Sequence, residues 1–500
     1  MTVHQVNPGE SKYAESARNF RSNVKRDLAN AELRGNFRGA MDYLMDKRKN
    51  AFPDSDELET LREQCKLIKQ RCLAKLPHLL EQLEDNLTKN GIKVHWAETI
   101  DEANGIIAQL IKDRNGATVV KGKSMVSEET ALNDYLEERD IECLEADMGE
   151  FIVQLAKEHP SHIIIPAIHK NKEQVADLFA EKIPGFERTN DVDKLINEGR
   201  RVLRDKFKNA DVGITGVNFA VAETGTLCLV ENEGNGQMCT AVPDLHIAIT
   251  GIEKVVEYLD DVPPLLSLLT RSATGQAIST YFNMITKPRQ QDEKDGPEEV
   301  HLVLLDNGRS QAFADEELRQ TLQCIRCGAC MNHCPVYTRI GGHAYGTVYP
   351  GPIGKIISPH MLGLEATKDL PTASSMCGAC GEVCPVKIPI PKLLQRLRQE
   401  SVKPKGDGAQ VMKGQGSNRS TIEAMVWKVW SLMHSYSTIY RMSMWFGTRL
   451  RGLMPKKIGV WTSVRTAPKL APKTLHERVS ARNKQAAKKI RKQGNQHGSR

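Results

Sequence analysis

The chain has no apolar run approaching the ~20 residues that span a bilayer, so no transmembrane helix is expected in its 500 residues. Its opening stretch, MTVHQVNPGESKYAESARNF, has neither an apolar h-region nor a small-residue cleavage site; no export leader is expected, and the cytoplasm is the expected compartment. No solenoid-period repeat is present, and no GxGxxG follows a strand pattern. A repeat array and a nicotinamide or flavin Rossmann site are therefore not indicated. Acidic residues nearly vanish toward the end, where residues 401–500 carry 21 Lys and Arg against 3 Asp and Glu. The whole chain is only +7, so the basicity belongs to this tail and the remainder is net acidic. An acidic partner or an anionic membrane surface is the expected counterpart, with the protein peripheral at the inner face in the second case. Nucleic acid is not expected, since nothing upstream reads as a base-recognition module.

What is present alternates. Leu61, Cys65, Ile68, Cys72, Leu76, Leu79 and Leu83 recur at three- and four-residue steps and predict one amphipathic helix that stops at Gly91. IKVHWA predicts a strand, followed by a helix from about Thr99, strand ATVVK, helix SMVSEETALNDYLEE, strand IECLEA, a short helix, strand HIIIPAI, and helices from about Lys172 to Phe207. With TLCLVE, HIAIT and HLVLLD as further strands, this predicts a largely parallel sheet covered by helices, an α/β domain over 61–306. A polar, helix-prone segment, 1–60, precedes it. A short helix near Asp315 leads into a cysteine-rich region, 307–400, and KPKGDGAQVMKGQGSNRS reads as a linker into a basic C-terminal domain and tail, 401–500.

Twelve cysteines in a chain expected to meet thiol-reducing pools are not expected to form structural disulfides. Seven of them form two groups. CIRCGACMNHCP places Cys324, Cys327, Cys330 and Cys334 before Pro335, the run of bacterial-type ferredoxins in which the fourth cysteine ligates the other cube. SSMCGACGEVCP repeats the ending with Cys377, Cys380, Cys384 and Pro385, but Ser374 stands where the first cysteine would be. If the ligands cross over, cluster 1 takes Cys324, Cys327, Cys330 and Cys384, and cluster 2 takes Cys334, Cys377 and Cys380. The fourth iron of cluster 2 then binds Ser374 or Ser375, water, substrate or a partner's residue, or is absent. The cofactors expected are two [4Fe–4S] clusters, with [3Fe–4S] the alternative for cluster 2. Zinc needs only four ligands and does not account for seven thiols in this order. Cys65, Cys72, Cys143 and Cys228 read as buried packing, and Cys239 stays open.

In the α/β region, strand ends and turns offer candidates of no individual specificity. Lys121 and Lys123 are suited to a carboxylate or phosphate, and Glu128, Asp147, Glu150 and His169 to acid–base work. The ETGT turn, with Glu223 and Thr224, is either an anion cradle or purely structural.

The 42 residues between Cys334 and Cys377 resemble the connector of helical ferredoxin modules in succinate dehydrogenase and heterodisulfide reductase subunits. Nearly end to end, the chain resembles the lactate-utilisation protein B family, on KGKSMVSEETALNDYLEE, ADMGEFIVQLAKEHPSHIIIPAIHK, GVNFAVAETGTLCLVENEGNG, HLVLLDNGRS and RTAPKLAPKTLHER. The resemblance implies a LUD domain related to sugar-isomerase and CoA-transferase folds, a helical two-cluster ferredoxin module, and a small, mostly helical C-terminal domain. It makes the serine of the second group a family feature. It also implies an electron-relay subunit rather than a complete enzyme, in a complex oxidising L-lactate to pyruvate with a cysteine-rich redox subunit and a second LUD-type subunit. The competing expectation is a membrane-associated iron–sulfur subunit of another hydroxy-acid or thiol dehydrogenase that passes electrons to quinone. Trp427, Trp430 and Trp445 among basic residues motivate it, against the expectation that these aromatics pack on the ferredoxin module while the Lys and Arg face water.

Overall fold

In this computed structural model, residues 12–402, 420–453, 457, 466–467 and 469–497 are described, with side chains to 488. Ten strands divide between two sheets: β1 (Lys93–Ala97), β2 (Thr118–Lys121), β3 (Glu142–Glu145), β4 (Val212–Gly216), β5 (Phe219–Val221), β6 (Thr226–Glu231), β7 (Leu245–Gly251), β8 (Val255–Val256), β9 (Tyr281–Ile285) and β10 (Glu299–Leu305). The larger sheet has the order β1-β10-β7-β4-β2-β3, every neighbouring pair parallel. β7 is buried along its whole length, and β10 sends Val300, Leu302 and Leu304 into one core and Val303 and Leu305 into another. Strands covered by helices on both faces must be apolar on both, as these are. The smaller sheet, β8-β5-β6-β9, is mixed.

Three expected elements differ. The helix through Leu61–Leu83 is two helices, Ser55–Ala74 and Leu76–Lys89, because Pro77 has no N–H for the i−4 bond and starts the second one. The helix through 124–138 breaks at Ala131, which takes φ +52° between Met125–Glu129 and Leu132–Glu137. HIIIPAI is irregular rather than a strand. His162 Nδ1 accepts the N–H groups of Ile164 and Ile165 at 3.0 and 3.1 Å, which occupies donors a sheet neighbour would need.

Residues up to 418 form one compact unit and residues 419–500 a second. The positions 60 and 306 fall inside the first. Its largest core runs without interruption through Phe37 and Met41 of helix Ala31–Ala51, Leu83, Val255, Leu302, Cys330, Tyr337 and Leu393. The cysteine region is thus packed into the α/β body. The linker KPKGDGAQVMKGQGSNRS lies, but for its last residue, outside the described residues. In the second unit, helices Thr421–Ser435 and Ser437–Arg449 bury no residue, and Trp427, Trp430 and Trp445 are exposed. No helix among the described residues is long and apolar enough to cross a membrane.

Candidate metal centre

The two cysteine groups fold into matching loops. Arg326 and Gly328 take φ +63° and +84° around Cys327, and Met376 and Gly378 take +57° and +90° around Cys377. Positive φ is uncommon outside glycine, and alternating it with ordinary φ curls successive N–H groups toward one point, a concavity suited to an anionic group. Each loop runs into a one-turn helix, Ala329–Asn332 and Ala379–Glu382. The match extends to the serine. Arg326 N–H donates to Cys324 Sγ at 3.3 Å, and Met376 N–H donates to Ser374 Oγ at 3.2 Å, so the hydroxyl takes the place and the hydrogen bond of the missing thiol.

The thiols sort into two sets. Cys324, Cys327, Cys330 and Cys384 are mutual electrostatic neighbours, and Cys380 has Cys334 and Cys377 as its own. Cys334, Cys377, Cys380, Ser374 and Ser375 line one small cavity. Cys327, Cys330 and Cys384 are buried, whereas Cys377 is exposed. Burial pushes the thiols of Cys380 and Cys384 up to about 11 and about 12, so iron must displace the protons it replaces. Four convergent thiols, and three with a hydroxyl, fit a pair of cubane clusters as donor sets. The other five cysteines are all buried, Cys239 in helix Asn235–Ala241, and lie in neither set.

Other elements close the shell. Arg62 Nε donates to Cys384 O at 3.0 Å, and the buried Lys355 places Nζ 3.9 Å from Cys334 Sγ. His162, with Nδ1 already accepting, carries its proton on Nε2 and donates to Asn332 Oδ1 at 3.0 Å. Burial holds that ring neutral, down to about 4. Arg326 Nη2 reaches Glu253 Oε1 at 2.9 Å. Arg309 bridges Glu253 (Nε–Oε2, 2.6 Å) and Glu129 (Nη1–Oε1, 2.8 Å; Nη2–Oε2, 2.9 Å). Burial works against the charge on Glu253, but the two guanidiniums outweigh it and hold the carboxyl at about 2.

Of the α/β candidates, Lys121, Lys123, Glu128, Asp147 and Glu150 gather in one cluster of mutually paired charges, of which His169, Glu223 and Thr224 are not part. Lys121 is wholly buried, 2.6 Å from Glu145 and 3.2 Å from Glu128. Its desolvation is outweighed by those carboxylates, which hold the ammonium above its ordinary range. Glu128 and Glu150 line a cavity of about 330 Å³ with Glu145. His169 lines another, of about 540 Å³, bonded through Nε2 to Glu158 at 2.6 Å and through Nδ1 to Ser161 at 2.7 Å. Glu158, His169 and His343 have metal-ligand spacing, yet Lys170 already reaches Glu158 at 2.8 Å. At the ETGT turn, Asn86 and Asn90 take the carbonyls of Glu223 and Thr224, at 3.1 and 2.9 Å. Lys123 and Asp147 alone share a cavity, of about 280 Å³, with Lys254 and Arg326. Sequence reasoning missed those two. Arg326 was in view inside the first motif, while Lys254 sits on a one-turn 3-10 helix, Ile252–Lys254, with no pattern to mark it.

Fold and site define an α/β protein with a ferredoxin-type iron–sulfur module built into its body. Residues 80–305 match the LUD domain, 320–388 the 4Fe-4S dicluster domain, and 396–484 the C-terminal region of lactate utilisation protein B. The chain belongs to the lactate utilization protein B family. It is 42% identical over 460 residues to lactate utilization protein B of Bacillus licheniformis, covering 90% of this chain and 94% of that one. To its namesake in Bacillus subtilis it is 44% identical over 388 residues (77% and 81%), and in Macrococcus caseolyticus 40% over 480 (94% and 98%). A crystal structure of a duf162 family protein from Deinococcus radiodurans aligns over 46% of this chain and 98% of its own, at 14% identity and a TM-score of 0.26, a likeness too slight to carry weight.

Proposed function

We propose that this chain is the iron–sulfur electron-transfer subunit of a multi-subunit complex that oxidises L-lactate to pyruvate. The observation that carries the reading is the interleaving of the two cysteine groups, Cys384 lying with the first and Cys334 with the second, in a chain of this family. Cubane clusters, when bound, exchange single electrons. Cys324, Cys327, Cys330 and Cys384 hold one, the last three of them buried. Cys334, Cys377 and Cys380 hold the other, as [4Fe–4S] with Ser374 Oγ at the fourth position or as [3Fe–4S]. The exposed Cys377 puts this second site within reach of a partner. Loss of two electrons from a hydroxy acid needs a further acceptor, and we infer a cysteine-rich redox subunit and a second LUD-type subunit as partners. The basic tail faces an acidic partner or the anionic inner surface of the membrane.

Deleting the gene from a bacterium with no other lactate dehydrogenase is expected to abolish growth on L-lactate, with growth on pyruvate intact. Normal growth on lactate would overturn the reading. The exposed Trp427, Trp430 and Trp445 favour a second one, a subunit delivering electrons from a different hydroxy acid or a thiol couple to quinone. A deletion strain that grows on lactate but loses quinone reduction from another donor would move the assignment there.

A further inference from the structure

The cavity of about 280 Å³ lies between the larger sheet and the first cysteine loop. Its position follows from the winding. In chain order the strands step outward from β2 to β3, then return through β4, β7 and β10, so the direction reverses between β2 and β4. Open α/β sheets take ligands at the carboxyl ends of such a pair. Gly122, Lys123 and Ser124, just past β2, and Thr215 and Gly216, ending β4, form that side of the cavity.

Lys254 and Arg326 also line it. Lys254 is 6% exposed, and its Nζ makes no hydrogen bond or ion pair among the described residues. Arg326 gives Nη2 to Glu253, but its buried Nη1 has no partner. Burial lowers the Lys254 ammonium to about 7 against the pull of Glu253 and Cys324, and a buried donor without a hydrogen bond is costly, so Lys254 Nζ and Arg326 Nη1 are the unmet donors of the cavity. Its carboxylates are already engaged. Asp147 accepts from Glu150 N–H at 3.0 Å, Glu231 from Gln237 N–H at 2.7 Å, and Glu233 from Met148 N–H at 3.0 Å. Lys123 is neutralised by Glu150 at 2.7 Å. Close by, Glu129 and Glu253 balance Arg309 and Arg326, and the buried Lys69 donates through Nζ to Glu253 O at 2.8 Å.

We propose that this cavity binds a small hydroxy- or oxo-carboxylate, its carboxylate taken by Lys254 Nζ and Arg326 Nη1. Ile163, Ile164 and Leu229 supply an apolar wall for a short carbon chain, and the three acidic residues disfavour a doubly charged phosphate. A ligand hydroxyl has the remaining lone pairs of Asp147 or Glu233 to donate to. Arg326 also lies between Cys324 and Cys327 and donates its N–H to Cys324 Sγ, so one residue serves both the cavity and the cluster 1 loop. The class of ligand rests on the cavity; the choice of lactate and pyruvate as first probes rests on the function proposed above.

Isothermal titration calorimetry on the anaerobically purified, cluster-loaded full chain tests the site with L-lactate, pyruvate, glycolate and inorganic phosphate. One carboxylate is expected to bind, about 10- to 100-fold more weakly to Lys254→Met. Lys254→Arg should stay within a few-fold, with the visible spectrum of the clusters unchanged in both. On the unaltered chain, the bound carboxylate should slow amide exchange at 122–126 and 215–218, a readout that needs no variant to fold. Carboxylate binding that Lys254→Met does not weaken, phosphate binding alone, or a change confined to the cluster spectrum would overturn the assignment. Binding of glycolate without lactate or pyruvate keeps the site, and the lactate reading then stands or falls with the deletion strain. No binding in a chain whose deletion abolishes growth on lactate removes the site and keeps that reading.

Discussion

Replacing Cys384 by alanine is expected to empty the cluster held by Cys324, Cys327 and Cys330, and to spare the one held by its sequence neighbours Cys377 and Cys380. The thiol of Cys384 has Cys324 as its near neighbour, whereas Cys380 faces Cys334 and Cys377. Bound iron should fall from roughly eight to roughly four atoms per chain, the content of one cube. The surviving paramagnetic signal should be that of the less thiolate-rich centre. Cys377→Ala gives the mirror result, retaining the fully thiolate centre. Both follow from iron and sulfide analysis with electron paramagnetic resonance on paired variants. If Cys384→Ala instead kept the fully thiolate signal, the ligands would not cross over. Ser374→Cys extends the series: the hydroxyl already occupies the position and hydrogen bond of Cys324 in the matching loop, so a thiol there should complete the second set and change only that centre's spectrum.

Arg309→Met is expected to destabilise the first unit by about 3–5 kcal/mol, the usual cost of leaving a buried ion network short of one partner. Arg309 is 1% exposed and is the only described residue that bridges Glu129 and Glu253. Methionine fills much of its volume but leaves the buried Glu129 with only the neutral donors Asn307 and Tyr349, and Glu253 with the guanidinium of Arg326 alone. Urea denaturation of the holoprotein measures the loss, and a change under 1 kcal/mol would contradict it. The same network predicts an acid limb. The folded carboxyl of Glu253 is held at about 2 against an ordinary 4.5, so its contribution is fully present above pH 4.5 and is lost as pH falls from there toward 2. Arg309→Met should flatten that limb.

Legibility followed the range of the pattern. Alternating apolar runs announced the parallel sheet, since strands buried on both faces leave continuous stretches such as LHIAITG. The order β1-β10-β7-β4-β2-β3 was not readable, because no local signal says which strands become neighbours. HIIIPAI has strand composition, and only the side chain of His162, turned back on its own N–H groups, removes it from the sheet. The break before Pro77 was available in the sequence and was outweighed by the leucine spacing. At the metal centre, laying one cysteine run on the other located Ser374, and the shared hydrogen bond gives that match a physical basis. Glu129, Arg309 and the adjacent pair Glu253 and Lys254 come from three separate elements and meet only through packing, so nothing in the spacing of those elements could have grouped them.

The central claim is two centres of unequal ligation in one chain. Electron paramagnetic resonance of the anaerobically purified protein before and after dithionite reduction, with iron, sulfide and zinc counted on the same sample, tests it most directly. Two distinguishable iron–sulfur signals with roughly eight iron atoms per chain are predicted, or roughly seven if the second centre is [3Fe–4S]. A single signal with roughly four iron atoms, or stoichiometric zinc in place of iron, would contradict it.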